Sequence, residues 1–241
     1  MSAPFFPEPD ERLAPAHRLA EMFARFEANR RSLGAWIDRS WLPAWAAQPA
    51  LDSHLEDCSA AIADALALPL PNFAACCVEE PVGDALAMLT MNQAVTALRL
   101  RALWFRRNEL RRIVGRESRD HCLDLIGAAN ADNLLRLIQM QPSGPQIEPL
   151  YRLGLPALGG LSALLLAWEG WCLFRRDGAW RSGTPTDLVR LALPRDLVEP
   201  EWLDTCDPAV DRDGSIETLK LLPHLYPEQS WSFGFAPATA N

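Results

Sequence analysis

Between Asp84 and Met140 the chain runs for 57 residues without a proline and with only two glycines, Gly115 and Gly127. Ala, Leu and Arg fill this stretch, and all three favour the helix because they lose little side-chain freedom in it. A segment of this length and composition commits the fold to helices. Asp84 is placed to cap a long helix and Gly115 to end it. Shorter helices are expected over 117–126 and 131–140. Two apolar stripes run along the long helix: Met91, Val95, Leu98, Ala102, Phe105 and Ile113 on one side, and Leu86, Leu89, Ala97, Leu100 and Trp104 on the other. A helix apolar on both sides needs partners on both, so this is the expected central helix.

The flanking segments read the same way. Pro15 is suited to the first position of a helix, and Leu19, Met22, Phe23, Phe26, Leu33 and Ile37 carry the helical period to Asp38. Ser53-x-x-Glu56 has the form of a capping box. Prolines 69, 71 and 81 mark a connection over 69–83. Pro156 to Phe174 holds 19 residues with one charge, Glu169. That is almost long enough to span a membrane, but the internal glutamate and the Gly159–Gly160 pair favour a helix buried within a protein core. Leu188 to Leu193 alternates well enough for a short strand and Trp231 to Phe235 is a second candidate, though either reads equally well as irregular. The expected fold is mainly α: an irregular multi-helix domain around a long central helix, with at most a small β element near the C-terminus. Its parts are a flexible proline-rich arm (1–14), a helical domain (15–195) and an acidic C-terminal segment (196–241) able to pack on it.

Charge is unevenly spread. The formal net charge is −8, which disfavours a general nucleic-acid or anionic-membrane binder. Yet residues 99–119 contain eight arginines against Glu109 and Glu117, and residues 196–217 contain eight acids against Arg212 alone. At 100° per residue the arginines do not share a face, so a DNA-reading helix is not indicated. Two readings stay open: a solvated rim with local pairs such as Glu109–Arg112, or an electrostatic docking surface for an acidic partner centred on Arg106, Arg107, Arg111 and Arg112. Nine tryptophans are present. Core packing with each indole N–H satisfied is their default, and Trp41 and Trp45 are the candidates for exposed interface anchors.

Chemical signatures are sparse. The four histidines are scattered, and neither H-E-x-x-H nor Cys-x-x-Cys occurs, so no metal or other cofactor is expected. Asp211-Arg-Asp213-Gly214-Ser-Ile216 resembles the middle of a calcium loop, but Ala209 and Lys220 occupy the two terminal ligand positions; it reads as an acidic turn. Gly160-Leu-Ser162 is half of a nucleophile elbow without its second glycine. The first twelve residues lack the pattern of a secretory signal, and the six cysteines are expected to be reduced thiols in the cytosol.

Four segments together resemble a known family. Ser40-Trp41-Leu42-Pro43, the leucine- and arginine-rich run from Leu98 to Arg112, the pair of short helices from Asp124 to Leu137, and Gly160 to Phe174 with Trp171-Cys172 followed by Leu191-Ala-Leu-Pro194 are similar to the SctK (YscK) family of type III secretion accessory proteins. The resemblance spans residues 36–195. It implies a non-enzymatic cytoplasmic component of the sorting platform, peripheral to the inner membrane, that links the cytoplasmic domain of the inner-membrane ring to the pod protein. It supplies no catalytic residues. A bridge needs two docking surfaces, expected at the arginine-rich region and at either the Trp41–Trp45 end or the acidic 196–217 segment. A helical secretion chaperone or a cofactor-free helical enzyme are the alternatives.

Overall fold

The structure, a computed structural model, describes residues 13–72, 83–112, 116–127, 145–146, 148–180, 182–207 and 209–226. Among these every regular element is a helix. The α-helices are α1 (Leu13–Arg31), α2 (Leu33–Trp36), α3 (Ser59–Ala65), α4 (Met91–Phe105), α5 (Arg107–Arg112), α6 (Arg116–Ile126), α7 (Glu148–Tyr151), α8 (Ala163–Arg176), α9 (Asp187–Arg190), α10 (Glu201–Thr205) and α11 (Gly214–Leu225). The expected helix at 131–140, the residues Gly115, Cys76 and Cys77, the expected strand at Trp231–Phe235, and most of the N-terminal arm lie outside the described residues.

Helix α4 is the centre of the fold. It packs along α8 and also meets α5, α6, α9 and α11. Met91, Ala94, Ala97, Leu98 and Phe105 join one core cluster, which includes Trp168, Trp171, Phe174 and Trp202. Leu100, Ala102, Leu103 and Trp104 join a second with Leu110, Cys122, Leu158 and Leu166. The helix does meet two cores, but they do not follow the two expected stripes: Leu86, Leu89 and Ala97 join Met91, Leu98 and Phe105 in the first cluster, and Ala102 joins Leu100 and Trp104 in the second. Helix α8 is buried from Leu166 to Phe174 against α4, and no helix among the described residues is long and apolar enough to cross a membrane.

Local signals shift several expected boundaries. The cap of the central helix is Thr90, not Asp84. The Thr90 hydroxyl accepts from the Gln93 N–H, and the Gln93 side chain accepts from the Thr90 N–H. This reciprocal pair is a full capping box, and the preceding Gly83–Met88 is a 3₁₀ turn. The box expected at Ser53 does not form: Ser53 lies inside a 3₁₀ turn, Pro49–His54, and α3 starts at Ser59. Helix α1 ends at Arg31, where the Ser32 hydroxyl donates to the carbonyls of Ala28 and Asn29 and competes with the helical ladder. The expected strand over 188–193 is instead α9 and a tight turn, with N–H groups of Leu191, Ala192 and Leu193 donating three residues back. Alternation there came from buried Leu188, Val189, Leu191 and Leu193 on a compact turn.

The α4–α8 contact depends on Gly170. A Cβ built there would lie 1.8 Å from the Leu98 carbonyl oxygen, so two backbones meet with no room for a methyl group. Gly170→Ala is expected to force the helices apart and to destabilise the protein by about 2–3 kcal/mol, as overpacking against backbone does. Urea unfolding followed by circular dichroism checks this; an unchanged midpoint would contradict the close approach.

Candidate functional site

The arginine-rich stretch is mostly an internal structure. Arg101 and Arg106 are both 0% exposed. Arg101 lies on α4, where its Nε donates to Ser215 Oγ, Nη1 to Asp211 Oδ2 and Nη2 to Asp177 Oδ2, each at 2.8 Å. Ser215 Oγ in turn donates to Asp177 at 2.5 Å. Arg107 Nη1 donates to the other Asp211 oxygen at 2.9 Å and to the Trp104 carbonyl at 2.7 Å. Arg176 donates to Asp177 and to the Val210 carbonyl. The sequence that resembles a calcium loop thus supplies Asp211 as a counter-ion for two arginines. Asp211 takes a left-handed backbone (φ +56°), a conformation aspartate tolerates better than most residues.

Arg106 occupies the break between α4 and α5 and forms a second network. Its Nε and Nη2 donate to the two oxygens of Glu169 at 2.7 and 2.6 Å, and Nη1 donates to Glu109 at 3.0 Å and to the Pro156 carbonyl at 2.8 Å. Glu109 also accepts the Leu158 N–H. Burial draws the Arg106 guanidinium down, but the charges of Glu169 and Glu109 outweigh it and hold it above its ordinary value. Burial acts oppositely on the Glu169 carboxyl and raises it despite Arg106. Both carboxylate oxygens accept from one guanidinium fork, and this bidentate geometry belongs to the ionised pair.

A third cluster is built from tryptophan and arginine. Trp168 and Trp171 stack at 4.7 Å between centroids. The Arg190 guanidinium lies 4.7 Å from the Trp168 ring, 5.3 Å from Trp171 and 5.1 Å from Trp41, within cation–π range of all three. Trp41 Nε1 donates to the Leu193 carbonyl at 2.8 Å, the Arg195 N–H to Ser40 Oγ at 2.7 Å, and the Asp38 N–H to the Leu191 carbonyl. The Ser40–Pro43 and Leu191–Pro194 motifs, separated by about 150 residues, are therefore two sides of one contact, closed by Trp171 of the Gly160–Phe174 segment. The indole N–H groups of Trp36, Trp168 and Trp180 are satisfied as well. Those of Trp171 and Trp202 find no acceptor among the described residues, against the expectation that each would.

These placements divide the candidate docking residues. Arg106 is enclosed by Glu169, Glu109 and Pro156 and has no surface to offer. Arg107 is spent largely on Asp211, and Trp41 serves the tryptophan–arginine cluster. Arg111 is half-buried, and Arg112 is exposed and ion-paired with Glu148 on α7, not with Glu109. Trp45 is 39% exposed. The four arginines do not form one basic face, because burial sorted them between two internal networks and the surface. Nothing in residue type distinguished Arg106 from Arg112. Ser162 caps α8 by accepting from the Leu165 N–H, which is a structural task. No group of three or more His, Cys, Asp or Glu is placed to hold a metal among the described residues.

Two outcomes follow from this burial. Glu169→Leu leaves Arg106 with its main counter-ion gone, and a cost of about 3–5 kcal/mol is expected; adding Arg106→Met should restore part of that stability, as measured by a double-mutant cycle of urea midpoints. Burial also pushes the Cys122 thiol up to about 11 and raises that of Cys172, so neither forms thiolate at pH 8. Maleimide labelling at pH 8, read by peptide mass spectrometry, should modify half-buried Cys58 well before Cys122 or Cys172; equal rates would contradict the packing.

The family model described as bacterial type III secretion protein (HrpB4) matches residues 13–228. No curated protein and no solved structure matches the chain. The matched span contains α1 to α11 and all four motif segments, including the buried networks that tie the acidic C-terminal segment to α4. The chain belongs to the bacterial type III secretion protein (HrpB4) family.

Proposed function

We propose that this protein is a cytoplasmic, non-enzymatic component of the type III secretion sorting platform that bridges the inner-membrane ring to the pod protein. The observation that carries this reading is the secretion-protein family match over residues 13–228. The fate of the polar side chains supports it. The buried carboxylates Glu169, Asp177 and Asp211 are each bound to arginine, which gives them a structural task and leaves none poised for proton transfer. What the molecule presents outward is suited to protein contact: Trp45 at one place and Arg112, next to half-buried Arg111, at another. One docking surface lies at Arg111 and Arg112, and the other at the Trp45 end or along the acidic segment that begins at 196.

The test is reconstitution from purified parts: this protein, the cytoplasmic domain of the inner-membrane ring and the pod protein of the same secretion system. Size-exclusion chromatography with light scattering should show a ternary complex. Arg111→Glu with Arg112→Glu should weaken one binary affinity by about three- to tenfold, chiefly through slower association, with unchanged melting. Mutually exclusive binary complexes, or no complex at all, would overturn the bridging role.

A further inference from the structure

Beside the Arg106–Glu169 pair is an apolar groove with a cavity volume of about 260 Å³. One side is the turn Leu153–Pro156 and the other is Pro200–Trp202 at the start of α10; Leu161, Leu165 and Trp168 of the α8 end line the space between. Leu153 is 40% and Leu165 41% exposed, with Leu164 beside them at 39%. These are large apolar side chains left in water next to a cavity. The walls are firmly set. Trp168 Nε1 donates to the Val198 carbonyl at 2.9 Å, Trp202 stacks on Phe105 at 5.5 Å, and Glu169 is clamped by Arg106. The volume is below the usual range for small-molecule and cofactor sites, roughly 300–1,000 Å³. It has room for one or two side chains, the size of a pocket that receives an anchor from a protein partner.

Charge specifies the partner further. Asp196, Glu199, Glu201, Asp204 and Asp207 follow one another without a base, and all are exposed. Glu199 pairs with Arg175. Asp196, Glu201 and Asp204 have no ion-pair partner among the described residues. Glu201 lines the groove itself, and Asp204 follows it by three positions on α10, hence on the same side of the helix. Among the residues lining the groove there is no base, and the exposed Arg152 only precedes Leu153 in the chain. An occupant with its basic side chains along one edge is thereby held in one orientation.

We infer that this groove docks an amphipathic segment of a protein partner, one that inserts apolar side chains between Leu153, Leu165 and Trp202 and sets Lys or Arg against Glu201 and Asp204. The inference rests on the bridging reading, because the segment belongs to one of the two bridged proteins. It also gives the acidic segment its role: one lip of a docking groove.

Biolayer interferometry against the purified ring domain and the purified pod protein tests it. Leu165→Glu should weaken one of the two partners at least about tenfold, as loss of a central anchor does, and leave the other unchanged. Glu201→Lys with Asp204→Lys alters only exposed side chains, so it should fold normally. It should weaken the same partner by about tenfold at low salt, with the difference shrinking as ionic strength rises. Both affinities unchanged in both variants would overturn the groove while leaving the bridge intact. A wild-type protein that binds neither partner would overturn the bridge and the groove with it.

Discussion

Two arginines buried on one helix organise this molecule. Arg101 and Arg106, five positions apart on and just beyond α4, point their guanidinium groups into two separate acidic sockets. Most of the apolar surface around them would tolerate small sliding or rotation, because hydrophobic contact is non-directional. A bidentate guanidinium–carboxylate pair does not tolerate it. Arg106–Glu169 therefore fixes the register of α4 against α8, and Gly170, next to Glu169 in the chain, lets the backbones come close enough for the pair to form. Such pairs add little net stability once desolvation is counted. What they contribute here is a single arrangement, since any other leaves a charge buried without its counter-ion.

Arg101 performs the corresponding task over a longer reach. It gathers Asp177 from the end of α8 with Asp211 and Ser215 from the C-terminal segment, so the acidic stretch is joined to the central helix by ions as well as by the apolar side of α11. The tryptophan–arginine cluster closes the opposite part of the fold in a similar manner. Arg190 lies among Trp41, Trp168 and Trp171 while donating to the carbonyls of Leu193, Pro194 and Arg195. Ser40–Pro43, Leu191–Pro194 and Trp171 each contribute only a wall to this contact, so none of them carries it alone.

The sequence conveyed composition and period well. The helical class, the central position of α4 with apolar neighbours on two sides, and the burial of most of α8 all follow from which residues are apolar and how often they recur. It did not convey where an arginine goes. Arg106 and Arg112 look alike in the chain, and the carboxylates that distinguish Arg101 and Arg106 lie 63 to 110 residues away. The central helix starts later than its composition suggests for a more local reason. Thr90-x-x-Gln93 carries the capping-box pattern, but the proline-free stretch begins earlier, and its length drew the helix start back to Asp84. The candidate site was legible only in part: Trp45 and Arg112 do reach the surface, whereas Trp41, Arg106 and Arg107 serve the fold.

That sorting of arginines changes which partner chemistry the molecule favours. In the sequence, the dense basic run at 99–119 suggests an acidic partner. In the folded chain the side chains of Arg101, Arg106, Arg107 and Arg176 are at most 13% exposed and each is matched to a carboxylate. The side chains of the matching acids Glu169, Asp177 and Asp211 are buried with them, but the acids from Asp196 to Asp207 are not, and among the described residues Glu199 is the one that is ion-paired. An exposed charge attracts over a Debye length, whereas one neutralised in the interior is felt only locally. The outward field near α10 is thus acidic, and it surrounds exposed leucines and a cavity. A basic segment is drawn to that lip by charge and retained by apolar burial, and those two contributions together, absent from any one stretch of the sequence, are what a specific docking surface requires.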